Sequence, residues 1–157
     1  MTSVAQPTIV GDLMALEPIV VRANASLDEA AELLDRHHIS GLPVVDRTGS
    51  LVGVVSQTDL VRARSTQYLW ASWPGLAVRH LMTAPAVTIH RSTPLAIAAA
   101  RMDRQHIHRL VVVDDEDERL PIGVLSMTDL VHALAASPHA TQSGPATDGA
   151  TSPDPRA

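Results

Sequence analysis

Two short turns hold the residue types most able to recognise a ligand: Ser56-Gln57-Thr58-Asp59 and Ser126-Met127-Thr128-Asp129. Each follows a glycine and two β-forming residues, Gly53-Val54-Val55 and Gly123-Val124-Leu125, so each falls where a strand runs into a helix. A serine followed three residues later by an acid is the pattern of a capping box, in which the two side chains satisfy exposed N–H groups at a helix start. The same place concentrates N–H donors and partial positive charge, which suits a phosphate, and the Ser and Thr hydroxyls extend that donor set. The aspartate would repel a phosphate but could accept hydrogen bonds from both hydroxyls of a ribose. Each turn therefore reads as a cap or as one wall of a nucleotide site.

Other chemistries find less support. With no cysteine there is no disulfide, thiolate metal site or thiol nucleophile. His106 and His108 would share a face if they lay on a strand, yet no acid or further histidine stands at ligand spacing, so no metal site is expected. The run Asp114-Asp115-Glu116-Asp117-Glu118 lacks the central glycine of a calcium loop and is read as a solvated hairpin loop. His37 and His38 end an amphipathic helix, where a cation near the C-terminal dipole is mildly favourable, and are left out of the site. No nucleophile stands beside a base, and a twofold Ser-x-Thr-Asp suits binding better than catalysis, so no enzyme is expected.

The turns belong to a unit written twice. At an offset of 68, residues 10–46 meet 78–114 with 14 of 37 pairs identical; at an offset of 70, residues 53–63 meet 123–133 with 8 of 11 identical. The second copy thus carries two extra residues in its acidic loop. Two copies, where a solenoid needs three or more, predict a pseudo-twofold domain whose apolar faces bury each other. Each copy opens with a short strand, 19–21 or 87–89, and a helix with one apolar face: Leu27, Ala30, Ala31, Leu34, or Leu95, Ala98, Ala99, Met102. Two β-branched runs follow, 42–45 and 51–55 in the first copy, and then a closing helix near 58–63, giving the order β-α-β-β-α.

The expected organisation is an N-terminal extension (1–9), repeat 1 (10–63), a connector (64–77), repeat 2 (78–136) and a tail (137–157) too poor in apolar residues to order itself. The fold class is α/β (α+β), two β-α-β-β-α repeats packed through their sheets. All three aromatics, Tyr68, Trp70 and Trp73, fall in the connector, where they pack on the seam or form a dimer contact, with stacking on a ligand base a lesser alternative. The chain has 157 residues, 45% hydrophobic and 18% charged, with a net charge of −5 and no Lys/Arg cluster, which argues against nucleic acid as a partner. No leader pattern or apolar run of spanning length is evident, so the expectation is a cytoplasmic protein without membrane contact.

Together, Ile39-Ser40-Gly41-Leu42-Pro43-Val44-Val45-Asp46 and the following Gly53-Val54-Val55-Ser56-Gln57-Thr58-Asp59-Leu60 resemble a cystathionine-β-synthase (CBS) repeat. In the second copy, Ile107-His108-Arg109-Leu110-Val111-Val112-Val113-Asp114 and Gly123-Val124-Leu125-Ser126 are similar to a repeat of the AMP-activated protein kinase γ subunit. The resemblance covers about residues 10–134. It implies a regulatory module that senses an adenine nucleotide, with AMP, ADP, ATP, S-adenosylmethionine and NADH as candidate ligands and no required cofactor. It further implies a homodimer that signals to an unidentified effector protein.

By the same resemblance Asp59 and Asp129 hold ribose, Ser56, Thr58, Ser126 and Thr128 approach phosphates, and Val54 and Val124 contact adenine. His108 and Arg109 match basic phosphate contacts, where the first copy has Ser40 and Gly41, and Val20 and Thr88 in the opening strands complete the set. The two clefts are therefore expected to differ chemically. The alternative is a dimeric interaction scaffold with no nucleotide ligand, its turns serving only as caps.

Overall fold

The computed structural model describes residues 8–65, 71 and 75–136. The expectations for the tail and for Tyr68, Trp70 and Trp73 fall outside these residues.

The order β-α-β-β-α appears twice. The first unit comprises β2 (Val21–Arg22), α2 (Leu27–His37), β3 (Gly41–Val45), β4 (Leu51–Ser56) and α3 (Gln57–Ser65). The second comprises β5 (Thr88–His90), α5 (Leu95–Gln105), β6 (Arg109–Val113), β7 (Pro121–Ser126) and α6 (Met127–Ala136). Before each unit stands a helical turn, α1 (Val10–Leu13) and α4 (Val78–Leu81), and a two-residue strand, β1 (Ala15–Leu16), follows α1.

Local chemistry fixes the helix ends. Ser26 Oγ accepts from the Glu29 N–H at 3.1 Å and starts α2, with Asp28 and Glu29 in its first turn and Arg36 and His37 in its last. His38 and His106 then close α2 and α5 in the left-handed conformation, both at φ 52°. Neither His106 nor His108 lies in a strand, so the shared face does not arise: one is a helix cap and the other precedes β6. Among the described residues no group of three His, Asp or Glu side chains could hold a metal ion.

In the first sheet β3 lies between a parallel β2 and an antiparallel β4; the second runs β1-β7-β6-β5, with β5 parallel to β6. The parallel pairing of Val21 with Val44 sets where β2 begins, two residues beyond the position that hydrophobicity alone indicates. Both hairpins shift register at one equivalent point, Val44/Val45 and Val112/Val113, and the second carries the longer loop.

Leu42 and Val44 pack under α2 and α3, and Leu110 and Val112 under α5 and α6. Alternation along a strand turns Val45, Val111 and Val113, also buried, to the opposite faces of the sheets. There the repeats meet: the Leu51 N–H donates to the Arg119 carbonyl at 2.7 Å, and Arg109 lies against Ser40.

The opening segments are exchanged. Val10 and Met14 belong to the core of the second repeat, and Val78 to that of the first. Backbone bonds fix the exchange, from Val10 N–H to the Thr93 carbonyl at 2.8 Å and from Val78 N–H to the Ala25 carbonyl at 2.9 Å. β1 then pairs with β7, placing Ala15 opposite Val124, and Thr83 pairs likewise with Val54. Glycines permit these approaches: a Cβ at Gly123 would stand 2.8 Å from the Ala15 carbonyl oxygen, and one at Gly53 2.7 Å from that of Thr83.

Val10→Ala is expected to cost about 2 kcal/mol in urea unfolding. Amide exchange should speed up in β6 and β7 before β3 and β4, although residue 10 belongs to the first repeat in sequence. Equal acceleration of both sheets would contradict the exchange.

Candidate functional site

The Ser-x-Thr-Asp turns form the same cap twice. Asp59 Oδ2 accepts from the Ser56 N–H at 2.8 Å and its hydroxyl at 2.9 Å, and Ser56 Oγ accepts from the Asp59 N–H at 3.2 Å. Asp129 and Ser126 repeat these bonds at 2.8, 2.9 and 3.2 Å. The cap uses one carboxylate oxygen. Among the described residues Oδ1 of either aspartate has no hydrogen bond. Thr58 and Thr128 are exposed on the first helical turns.

A cleft of about 860 Å³ opens beside Asp129, within the range of roughly 300–1,000 Å³ usual for small-molecule sites. One wall is the second repeat's turn, with Val124, Ser126, Thr128, Asp129 and His132; the facing wall is Asp35, His38, Ile39, Ser40 and Gly41 of the first. The floor is the exchanged segment from Ala15 to Pro18, continuing into Ile19. The cleft thus belongs to neither repeat alone.

Arg109 stands where the two repeats touch. Its Nη2 donates to Ser40 Oγ at 2.6 Å, and its guanidinium fills the space that a side chain at position 41 would need. Burial lowers its pKa from the usual arginine range and the Asp59 carboxylate opposes that shift, so Arg109 lines the Asp129 cleft while being drawn toward the other turn. An arginine remains charged in such a setting.

Of the residues singled out in the sequence, Ser40, Gly41, Arg109, Val124, Ser126, Thr128 and Asp129 line this one cleft. Val54, Ser56, Thr58 and Asp59 form the equivalent turn of the first repeat, and His108 is exposed before β6. Val20, before β2, and Thr88, paired with Val111 in β5, do not line the Asp129 cleft. The partnership of walls is crossed: Asp129 shares its cleft with Ser40 and Gly41, and the Asp59 carboxylate acts on Arg109, the residue that the repeat offset matches to Gly41.

His38, left out of the site by the sequence reading, lines the cleft, as do Leu16, Glu17, Pro18, Asp35 and His132. Only the exchange brings residues 15–18 there, and no local pattern signals it. The acidic loop, read as solvated, does expose Asp115 and Glu118, but both turn onto His90, whose Nδ1 and Nε2 stand 3.2 and 3.1 Å from their carboxylates.

A duplicated α/β unit, whose copies exchange their opening segments and enclose a cleft beside a capped hydroxyl and carboxylate turn, defines a paired-repeat ligand-binding module. The chain belongs to the CBS domain family, whose profile matches residues 10–66 and 78–136. It is similar to the CBS domain pair of protein MJ0100, solved with 5′-methylthioadenosine and S-adenosylmethionine: 29% identity, TM-score 0.71, covering 82% of this chain and 98% of that one. It is also similar to CBSX2 from Arabidopsis thaliana, solved with AMP: 33% identity, TM-score 0.70, covering 82% and 97%. The γ-3 subunit of 5′-AMP-activated protein kinase from Sus scrofa is 30% identical over 123 residues, 76% of this chain and 24% of that subunit. The first curated relatives, named as a sulfurtransferase and two acetyltransferases, are matched over only 22–23% of their length.

Loss of a cap should be measurable without any ligand. Asp59→Ala and Asp129→Ala are each expected to lower unfolding free energy in urea by about 1 kcal/mol, with Asp→Asn costing less because the amide oxygen can still accept from the serine. Equal costs for Ala and Asn would contradict the capping role.

Proposed function

We propose that this chain is a regulatory, non-catalytic module that binds an adenosyl ligand in the cleft between its repeats and passes the resulting bias to a partner. The observation that carries this reading is the crossed cleft itself. It places an unused oxygen of Asp129, suited to ribose hydroxyls, opposite a wall contributed by the other repeat. A ligand touching both walls favours one arrangement of the repeats over others, and the shift is bounded by its differential affinity for the two arrangements. The related pairs solved with AMP, 5′-methylthioadenosine and S-adenosylmethionine support an adenosine-based ligand, with AMP, ADP, ATP and NADH as further candidates. Two chemically similar turns related by pseudo-symmetry suit binding, since catalysis assigns different roles to different residues.

A second reading, a homodimeric interaction scaffold, is favoured by apolar side chains on the two closing helices: Val61 is 67% exposed, Val131 57% and Leu134 70%. The readings are compatible if the dimer is the surface through which binding is signalled. Analytical ultracentrifugation should find a dimer that Val131→Asp with Leu134→Asp converts to monomer; an unchanged species would remove that surface from consideration.

Thermal unfolding tests the ligand-binding reading. A ligand at about 100 times its Kd adds about 2.7 kcal/mol, a rise of about 5–10 °C for a domain of this size. An adenosine derivative should raise the midpoint where GMP does not, and Asp129→Ala should lose most of that rise relative to its own unliganded midpoint. No shift with any adenosyl ligand would leave the turns as caps alone.

A further inference from the structure

Resting on that adenosyl reading, we infer that the Asp129 cleft selects against phosphate: its ligand is an adenosine derivative with a neutral or cationic 5′ substituent, and Glu17 is the residue that sets the preference. The sequence suggests the reverse, since the basic pair His108-Arg109 lies in the same repeat as Asp129. The crossed walls leave only Arg109 of that pair in the Asp129 cleft, and His108 does not line it.

The cleft is lined by the carboxylates of Glu17, Asp35 and Asp129 and by one guanidinium, that of Arg109. Counting the carboxylates and the guanidinium alone, three negative groups stand against one positive. The single guanidinium is already held by Ser40 Oγ at 2.6 Å and attracted by Asp59. A nucleotide brings two or more further negative charges into this setting, whereas a thioether brings none and a sulfonium brings a positive one.

Glu17 is the distinctive member. It stands at φ 54°, a left-handed conformation uncommon for a residue with a Cβ, on the stretch joining β1 to the first repeat. Among the described residues its carboxylate makes no hydrogen bond or ion pair, and Glu17 lines the cleft at its solvent-exposed edge. The repeat offset replaces Glu17 with Pro85, Ser40 with His108 and His132 with Arg62, while Gly41 and Arg109 change places. One carboxylate disappears and basic groups accumulate, so a phosphorylated ligand belongs to the Asp59 side.

Isothermal titration of an Asp59→Ala chain, in which the other turn is disabled, reads the Asp129 cleft; Asp59→Asn serves if the alanine variant does not fold. At low ionic strength 5′-methylthioadenosine and S-adenosylmethionine should bind at least about tenfold more tightly than AMP or ATP. Adding Glu17→Gln should narrow the gap for ATP by about threefold or more and leave the affinity for 5′-methylthioadenosine unchanged. AMP or ATP binding as tightly as the thioether, or a ratio that Glu17→Gln does not move, would overturn the charge selection alone. If no adenosyl ligand binds either protein, the adenosyl reading falls and the selection with it.

Discussion

Everything distinctive in this molecule depends on the exchange of opening segments between the repeats. Val10 and Val78 are fully buried, each in the core of the repeat that its sequence neighbours do not form; burying such a side chain contributes about 2 kcal/mol. The exchange brings Met14 and Met82 against Gly123 and Gly53, where sulfur and backbone come so close that a methyl group would not fit. Neither repeat can then be complete without the other. For the same reason the segment from Ala15 to Pro18 becomes the floor of a cleft walled by both repeats.

Within that frame the proposed function gives the Ser-x-Thr-Asp turn two ends served by different atoms. One carboxylate oxygen satisfies the helix start, which fixes the side chain's rotamer, and the other is thereby presented in a constant direction. A binding group held in advance loses less conformational freedom when a ligand arrives. Capping and the proposed recognition are therefore compatible at these positions. Arg109 adds a second economy, because the missing side chain at Gly41 gives it room at the point where the repeats touch.

Much of the fold could be read in the residues because the chain states it twice. The strand and helix order, the apolar faces of α2 and α5, and the longer second hairpin loop follow from local periodicity and from the change in repeat offset. Strand starts were less legible, since β2 is defined by its parallel pairing with β3 and has only Val21 and Arg22 in register. The exchange was not legible at all: Val10 and Val78 match each other in either arrangement, and nothing local tells which core each enters. The site shared that limit. Asp59 and Asp129 could be singled out from spacing, but the wall facing Asp129 could not, and Glu17, Asp35, His38 and His132 are uninformative until long-range packing places them.

The most direct test of the shared cleft is a crystal structure of the chain grown with 5′-methylthioadenosine. Both ribose hydroxyls should lie within hydrogen-bond distance of Asp129, with the ligand touching residues 15–18 and 38–41 of the first half and 124–129 of the second. A ligand bound within a single repeat, or on an outer surface away from Asp129, would contradict the account.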